Sequence, residues 1–175
     1  MSDQNEGQTE SRIVQMAAFS VGTEEYVVDI MRIKEIINPL KITPVPSAAA
    51  LIEGVINLRG VIIPIVDMRK RFMVPEESWN GNPKYIIVVV AGKIVGIVVD
   101  EVLEVVRIPR SIIKPSPQLF VDKEPGMFLG VCEFQGRLLL LVDLKKVLSP
   151  ALADKTEAEI SPEPARPEIK SSSTE

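Results

Sequence analysis

Apolar and polar positions alternate along much of this chain. Over Glu25–Ile30, Tyr26, Val28 and Ile30 fall on one face and Glu25, Val27 and Asp29 on the other. A period of two marks a strand that buries one face. Further strands are read over Ile13–Val21, Gly54–Leu58, Val61–Val66, Lys84–Ala91, Ile94–Val106, Met127–Phe134 and Arg137–Val142. Val and Ile dominate these runs, and β-branched side chains suit a pleated, half-buried surface. Turns at Gly22-Thr23, Arg59-Gly60, Gly92-Lys93 and Gln135-Gly136 join several of them as hairpins. Short strands linked by glycine turns predict a mainly β fold, either barrel or sandwich. Helix is scarce. Met31–Ile37, Ala48–Glu53, Asp67–Phe72 and Asp143–Leu148 each have room for one or two turns.

The pattern also repeats. Gly54–Phe72 aligns with Gly130–Leu148 without a gap, keeping Gly54/Gly130, Val55/Val131, Gly60/Gly136, Val66/Val142, Asp67/Asp143 and Lys70/Lys146 identical. Each copy reads as strand, turn, strand and a short helix opened by an aspartate N-cap. A further hairpin precedes each copy, around Gly22 and around Gly92. Two similar lobes follow, over about 12–80 and 81–148. Strands Ile86–Val90 and Ile94–Val99 are apolar on both faces, which places strands between the lobes. Whether Arg12–Val21 pairs with the second lobe stays open.

The ends differ from this body. Residues 1–11 are polar, and residues 149–175 carry four prolines and no aromatic residue. Neither end can bury enough apolar surface to offset its ordering entropy, so both are expected to be disordered. The net charge is −4, but the body from 12 to 148 is nearly neutral and the ends are acidic. That distribution does not suit nucleic acid, which favours a clustered basic face. No apolar run reaches the length of a transmembrane helix, and the first residues lack the pattern of a signal peptide. With a single cysteine, Cys132, the expected compartment is the cytoplasm.

Candidate chemistry is sparse. The chain has no histidine, which removes the commonest general base and the commonest metal ligand. No cofactor or metal site is read. Cys132 lies mid-strand with no base near it in sequence, and reads as a small buried hydrophobe. Asp100, Glu101 and Glu104 read as solvated strand-edge charges. Trp79 lies in the loop Pro75–Pro83, where it either covers the core or faces a partner. The repeat acts as an internal control on the rest. Gly60 and Gly136 share one turn position, where positive φ favours glycine, so both are structural. Asp67 and Asp143 read as helix caps. Asn57-Leu58-Arg59 faces Glu133-Phe134-Gln135 in the other copy, so the fold alone does not ask for arginine there. Arg59 is either a solvated charge or an anchor for a protein partner. Ile30, Ile33 and Ile37 would share a helical face, as core or as a partner-facing patch.

An ordered series of segments carries a more specific signal. Phe19, Tyr26–Ile30, Glu35-Ile36, Thr43–Pro46, Gly54–Gly60, Ile63–Asp67, Gly96–Asp100 and Leu141–Leu144 resemble, in order and spacing, the CheW family of chemotaxis coupling proteins. The resemblance spans about 12–148. It implies two SH3-like five-stranded β barrels packed around a shared hydrophobic core. It implies a non-catalytic adaptor that couples transmembrane chemoreceptors to a CheA-type histidine kinase. The adaptor would be cytoplasmic and recruited to receptor arrays at the inner face of the membrane. The kinase regulatory domain shares the fold in that family, and partner contacts carry over by motif to Ile33, Glu35, Gly54, Asn57, Leu58 and Arg59. The cytoplasmic tip of a receptor, a helical hairpin, would enter a groove between the lobes, with Ile30, Ile33, Val98 and Val99 as candidates. The acidic, proline-containing tail departs from the compact family pattern. A CheW-like scaffold of another two-component pathway, and a small β-barrel enzyme, are the alternatives.

Overall fold

The computed structural model describes residues 12–46, 48, 50–75, 81–117 and 126–153. The two ends, Trp79 and most of the loop Ser116–Pro125 lie outside these residues. Ten strands form two five-stranded sheets. They are β1 (Ile13–Val21), β2 (Glu24–Asp29), β3 (Ile33–Ile37), β4 (Ile52–Leu58), β5 (Val61–Asp67), β6 (Lys84–Val90), β7 (Lys93–Val99), β8 (Glu101–Pro109), β9 (Phe128–Phe134) and β10 (Arg137–Val142). One sheet runs β8-β1-β2-β10-β9 and the other β3-β6-β7-β5-β4. The two orders are related strand for strand, so the repeat seen in sequence extends to the whole body. β4 and β5 match β9 and β10, and the hairpins β6–β7 and β1–β2 match each other.

The lobes are interleaved, which differs from a division near residue 80. After β2 the chain crosses to the second sheet as β3, and after β7 it crosses back to the first as β8. β1 therefore pairs with β8 along most of its length, which settles the open question about the first strand. The run Ile94–Val106, expected as one strand, breaks at Asp100 because its halves belong to different sheets.

Each sheet curls into a small barrel. Thr43, beyond β3, bridges Val55 of β4, and Lys114, beyond β8, bridges Val131 of β9. Val55 and Val131 are repeat partners, so both barrels close at the same place. The preceding residue must then be very small. A Cβ on Gly54 would collide with the Thr43 carbonyl, and one on Gly130 would lie 2.6 Å from that of Lys114. Ile42–Pro46 (ITPVP) and Ile113–Pro117 (IKPSP) form this closing segment in the two lobes.

Apolar alternation sorts the core into three clusters. Met16, Ala18, Val27, Ile108, Cys132, Leu139 and Leu141 fill the first barrel. Ile56, Ile63, Ile65, Tyr85 and Ile87 fill the second. The opposite faces of the same strands, with Phe19, Tyr26, Val28, Ile86, Val88 and Ile97, meet in a shared core between the barrels. Tyr26 stacks on Phe72 there at 4.5 Å between ring centroids. β1 and β6 are apolar on both faces because each faces a barrel interior on one side and the shared core on the other.

Two predicted helices are present as α1 (Met68–Arg71) and α2 (Leu144–Val147). Their aspartates cap them as read: Asp67 accepts from the Arg69 N–H at 2.8 Å and Asp143 from the Lys146 N–H at 3.2 Å. A third short helix, α3 (Ser149–Leu152), follows. The helix expected over Met31–Ile37 is instead a 3-10 turn at Ile30–Arg32 and then β3. Short apolar runs fit both periods, and pairing with β6 decides this one. The expected helix over Ala48–Glu53 is also absent, since Ile52 and Glu53 already belong to β4.

Candidate protein-interaction site

The β4–β5 turn is a two-residue loop in which Leu58 pairs with Val61. Arg59 and Gly60 take positive φ, 51° and 86°, and Gln135 and Gly136 repeat this at 51° and 75°. Such turns match the twist of the flanking strands. Asn57 steadies the first one, its Oδ1 accepting from the Gly60 N–H at 2.8 Å.

Barrel closure carries this tip to the opposite edge strand, β3. There Arg59 donates both terminal nitrogens to Glu35, Nη1 to Oε1 at 3.0 Å and Nη2 to Oε2 at 2.6 Å. Two parallel bonds fix the plane of the guanidinium. The Arg59 side chain is nonetheless 69% exposed, against 24% for Glu35. Leu58, Val61 and the Lys34 stem line a small recess of about 90 Å³ beside the pair, and Val61 and Ile62 present apolar surface to solvent. The pair thus leaves one flat face of a fixed cation on a partly apolar surface.

The other barrel has its own version of this pair. Arg137, at the start of β10, reaches Glu104 of β8 at 2.5 Å and Glu25 of β2 at 3.3 Å. An arginine that ties the hairpin tip to the edge strand is therefore present in both lobes, displaced by two positions in sequence. Residue-by-residue alignment hid this. Arg137 is only 30% exposed and is shared between two carboxylates, so the second tip offers no comparable free face.

The other expected site residues divide. Glu35, Asn57, Leu58 and Arg59 come together at the tip. Ile33 lies two residues along β3, half-buried against the shared core. Gly54 is buried at the barrel closure, a place that Gly130 fills equally. Val99 is wholly buried in the shared core, because β7 lies inside its sheet between β6 and β5. Val98 is half-buried against the core of the second barrel. Val99 therefore presents no side-chain surface to a groove.

A concavity of about 800 Å³ does exist, chiefly on the first barrel. Val14, Met16, Leu129 and Leu141 give it apolar surface, and Val90 and Ala91 of the β6–β7 turn form one wall. Asp29 and Arg32 lie on its rim with Arg110, Asp143 and Lys145. Ile30, Ile33, Val98 and Val99, the expected groove residues, are not among its lining residues.

Asp100 corrects the sequence reading outright. It is not a solvated charge but is 5% exposed. Its carboxylate takes Arg69 Nε at 2.6 Å and Nη2 at 2.5 Å, and also the Gly22 N–H at 2.8 Å. It joins the strand crossover, the β1–β2 turn and α1 in one buried knot. An aspartate interrupting an apolar run was the available signal. Cys132 is buried, and burial pushes its thiol up, which suits a core residue and not a nucleophile. Among the described residues no group of three or more His, Cys, Asp or Glu side chains could hold a metal ion. No described helix is long and apolar enough to cross a membrane.

Two small barrels that share one core define a two-lobed β module. The model of the CheW-like domain matches residues 15–151, and the chain belongs to that family. It is 37% identical to the chemotaxis protein CheW of Klebsiella aerogenes over 131 residues, covering 75% of this chain and 79% of that one. It is 32% identical to Protein FrzA of Myxococcus xanthus over 136 residues, covering 76% and 84%. The crystal structure of the scaffolding protein TtCheW from Thermoanaerobacter tengcongensis superposes with a TM-score of 0.72 at 29% identity, over 81% of this chain and 92% of that one.

Proposed function

We propose that this chain is a non-catalytic chemotaxis adaptor, and that it couples the cytoplasmic tips of chemoreceptors to the regulatory domain of a CheA-type histidine kinase. Family membership supports the adaptor role. The observation that carries the contact assignment is the exposed Arg59 plane, held by Glu35 at the β4–β5 tip. An arginine already fixed in orientation loses little freedom when a partner covers it, and rigid arginines beside apolar surface are favoured interface anchors. Glu35, Leu58 and Arg59 touch the partner in this reading, with Val61 and Ile62 as the apolar surround. Asn57 shapes the turn, and Gly54 closes the barrel beneath it.

The first barrel's concavity, apolar below and charged at its rim, suits a helical receptor tip. The adaptor works in the cytoplasm, at arrays on the inner face of the membrane. Co-purification from the native cell tests the proposal. Recovery of receptors together with a histidine kinase supports coupling, and recovery of neither overturns it.

A further inference from the structure

We infer that the concavity on the first barrel is covered by this chain's own acidic segment, residues 154–175, so that an incoming partner must displace it. Three observations support this occupant. The first is charge. Arg32, Arg110 and Lys145 stand exposed on the rim, and none forms a side-chain hydrogen bond or ion pair with a described residue. Asp29 and Asp143, the acids in the same rim, cap Met31 and Lys146 and keep their charge, so the rim carries three cations against two carboxylates. Residues 154–175 hold six acidic and three basic side chains, the complementary balance.

The second is apolar surface. Leu129 is 62% exposed on the concavity's lining, a large uncovered side chain. Glu157-Ala158-Glu159-Ile160-Ser161-Pro162-Glu163 sets one isoleucine among three glutamates, an apolar anchor inside a charged frame. The third is position. The Leu152 carbonyl accepts from Lys93 Nζ at 2.8 Å, and Lys93 pairs with Val90, which forms the concavity's wall. The chain leaves α3 beside the rim. Ile160 is seven residues beyond Ala153, a reach of up to about 25 Å at ~3.5 Å per extended residue.

The inference rests on the geometry of the concavity and not on the coupling role, and its test uses the isolated full-length chain. A nitroxide is placed at Ser161→Cys and, separately, at Ala165→Cys; buried Cys132 stays unlabelled. Amide intensities are then read by NMR. Val14, Leu129 and Lys145 are expected to fall below half intensity in at least one labelled chain, with Arg59–Val61 unaffected. Combining Arg32→Glu, Arg110→Glu and Lys145→Glu is expected to restore them. The inference is overturned by no attenuation from either label, by attenuation equal at the β4–β5 tip, or by attenuation that survives charge reversal.

Discussion

The β4–β5 and β9–β10 hairpins are two solutions to one folding problem, and their differences separate architecture from recognition. Both have a glycine under a closing carbonyl, a two-residue turn at positive φ, an aspartate-capped helix, and an arginine tied to the edge strand. These features belong to the barrel. The arginines differ in what they leave over. Arg137 is divided between Glu25 and Glu104 and mostly covered, whereas Arg59 is pinned by one carboxylate and open on its face. The proposed recognition role therefore rests on the exposure and rigidity of Arg59 and not on the presence of arginine.

The largest effect is expected where the symmetry is broken inside the molecule. Asp100→Ala strands Arg69 in a buried site and should cost about 3–5 kcal/mol in urea unfolding; a loss below about 1 kcal/mol would mean water reaches the pair. Next come the closing glycines. Gly54→Ala and Gly130→Ala each force a Cβ against backbone and should each cost on the order of 3 kcal/mol. Near-equal losses in denaturation midpoint confirm that Gly54 serves the barrel; a binding defect in a fully stable Gly54→Ala chain would return it to the interface. Smaller still, Asn57→Ala removes the acceptor for Gly60 N–H and should cost about 1 kcal/mol. Arg137→Ala breaks surface pairs and should change stability by no more than about 1 kcal/mol, with partner binding retained in a pull-down.

Much of the fold was legible because period-two alternation and glycine turns are local signals, and the repeat doubled their weight. The interleaving was not. Nothing local in Glu24–Ile37 or Lys93–Pro109 tells a strand to leave one sheet for the other; only Asp100, a charge in an apolar run, marked such a crossing. Glu35, Asn57, Leu58 and Arg59 were named by motif, yet the ion pair joining residues 35 and 59 depends on barrel closure. The control drawn from Gln135 was right about the backbone, since Arg59 and Gln135 share one φ. It missed Arg137, because side chains reach a seam from neighbouring positions and an ungapped alignment compares only one. Val99, a groove candidate by family resemblance, is buried in the shared core, and nothing local marks β7 as an inner strand.

The central claim is that Arg59 acts through its exposed face while Arg137 serves its own barrel. Isothermal titration of the kinase regulatory domain into Arg59→Ala and Arg137→Ala chains, each first checked by thermal melt, tests it most directly. The expected result is a loss of about tenfold or more in affinity for Arg59→Ala, of order 1.4 kcal/mol or above. Arg137→Ala should bind as the parent does, with both melts within a few degrees of it. Equal affinities for the two variants, or a loss for Arg59→Ala that tracks a collapsed melt, would contradict the account.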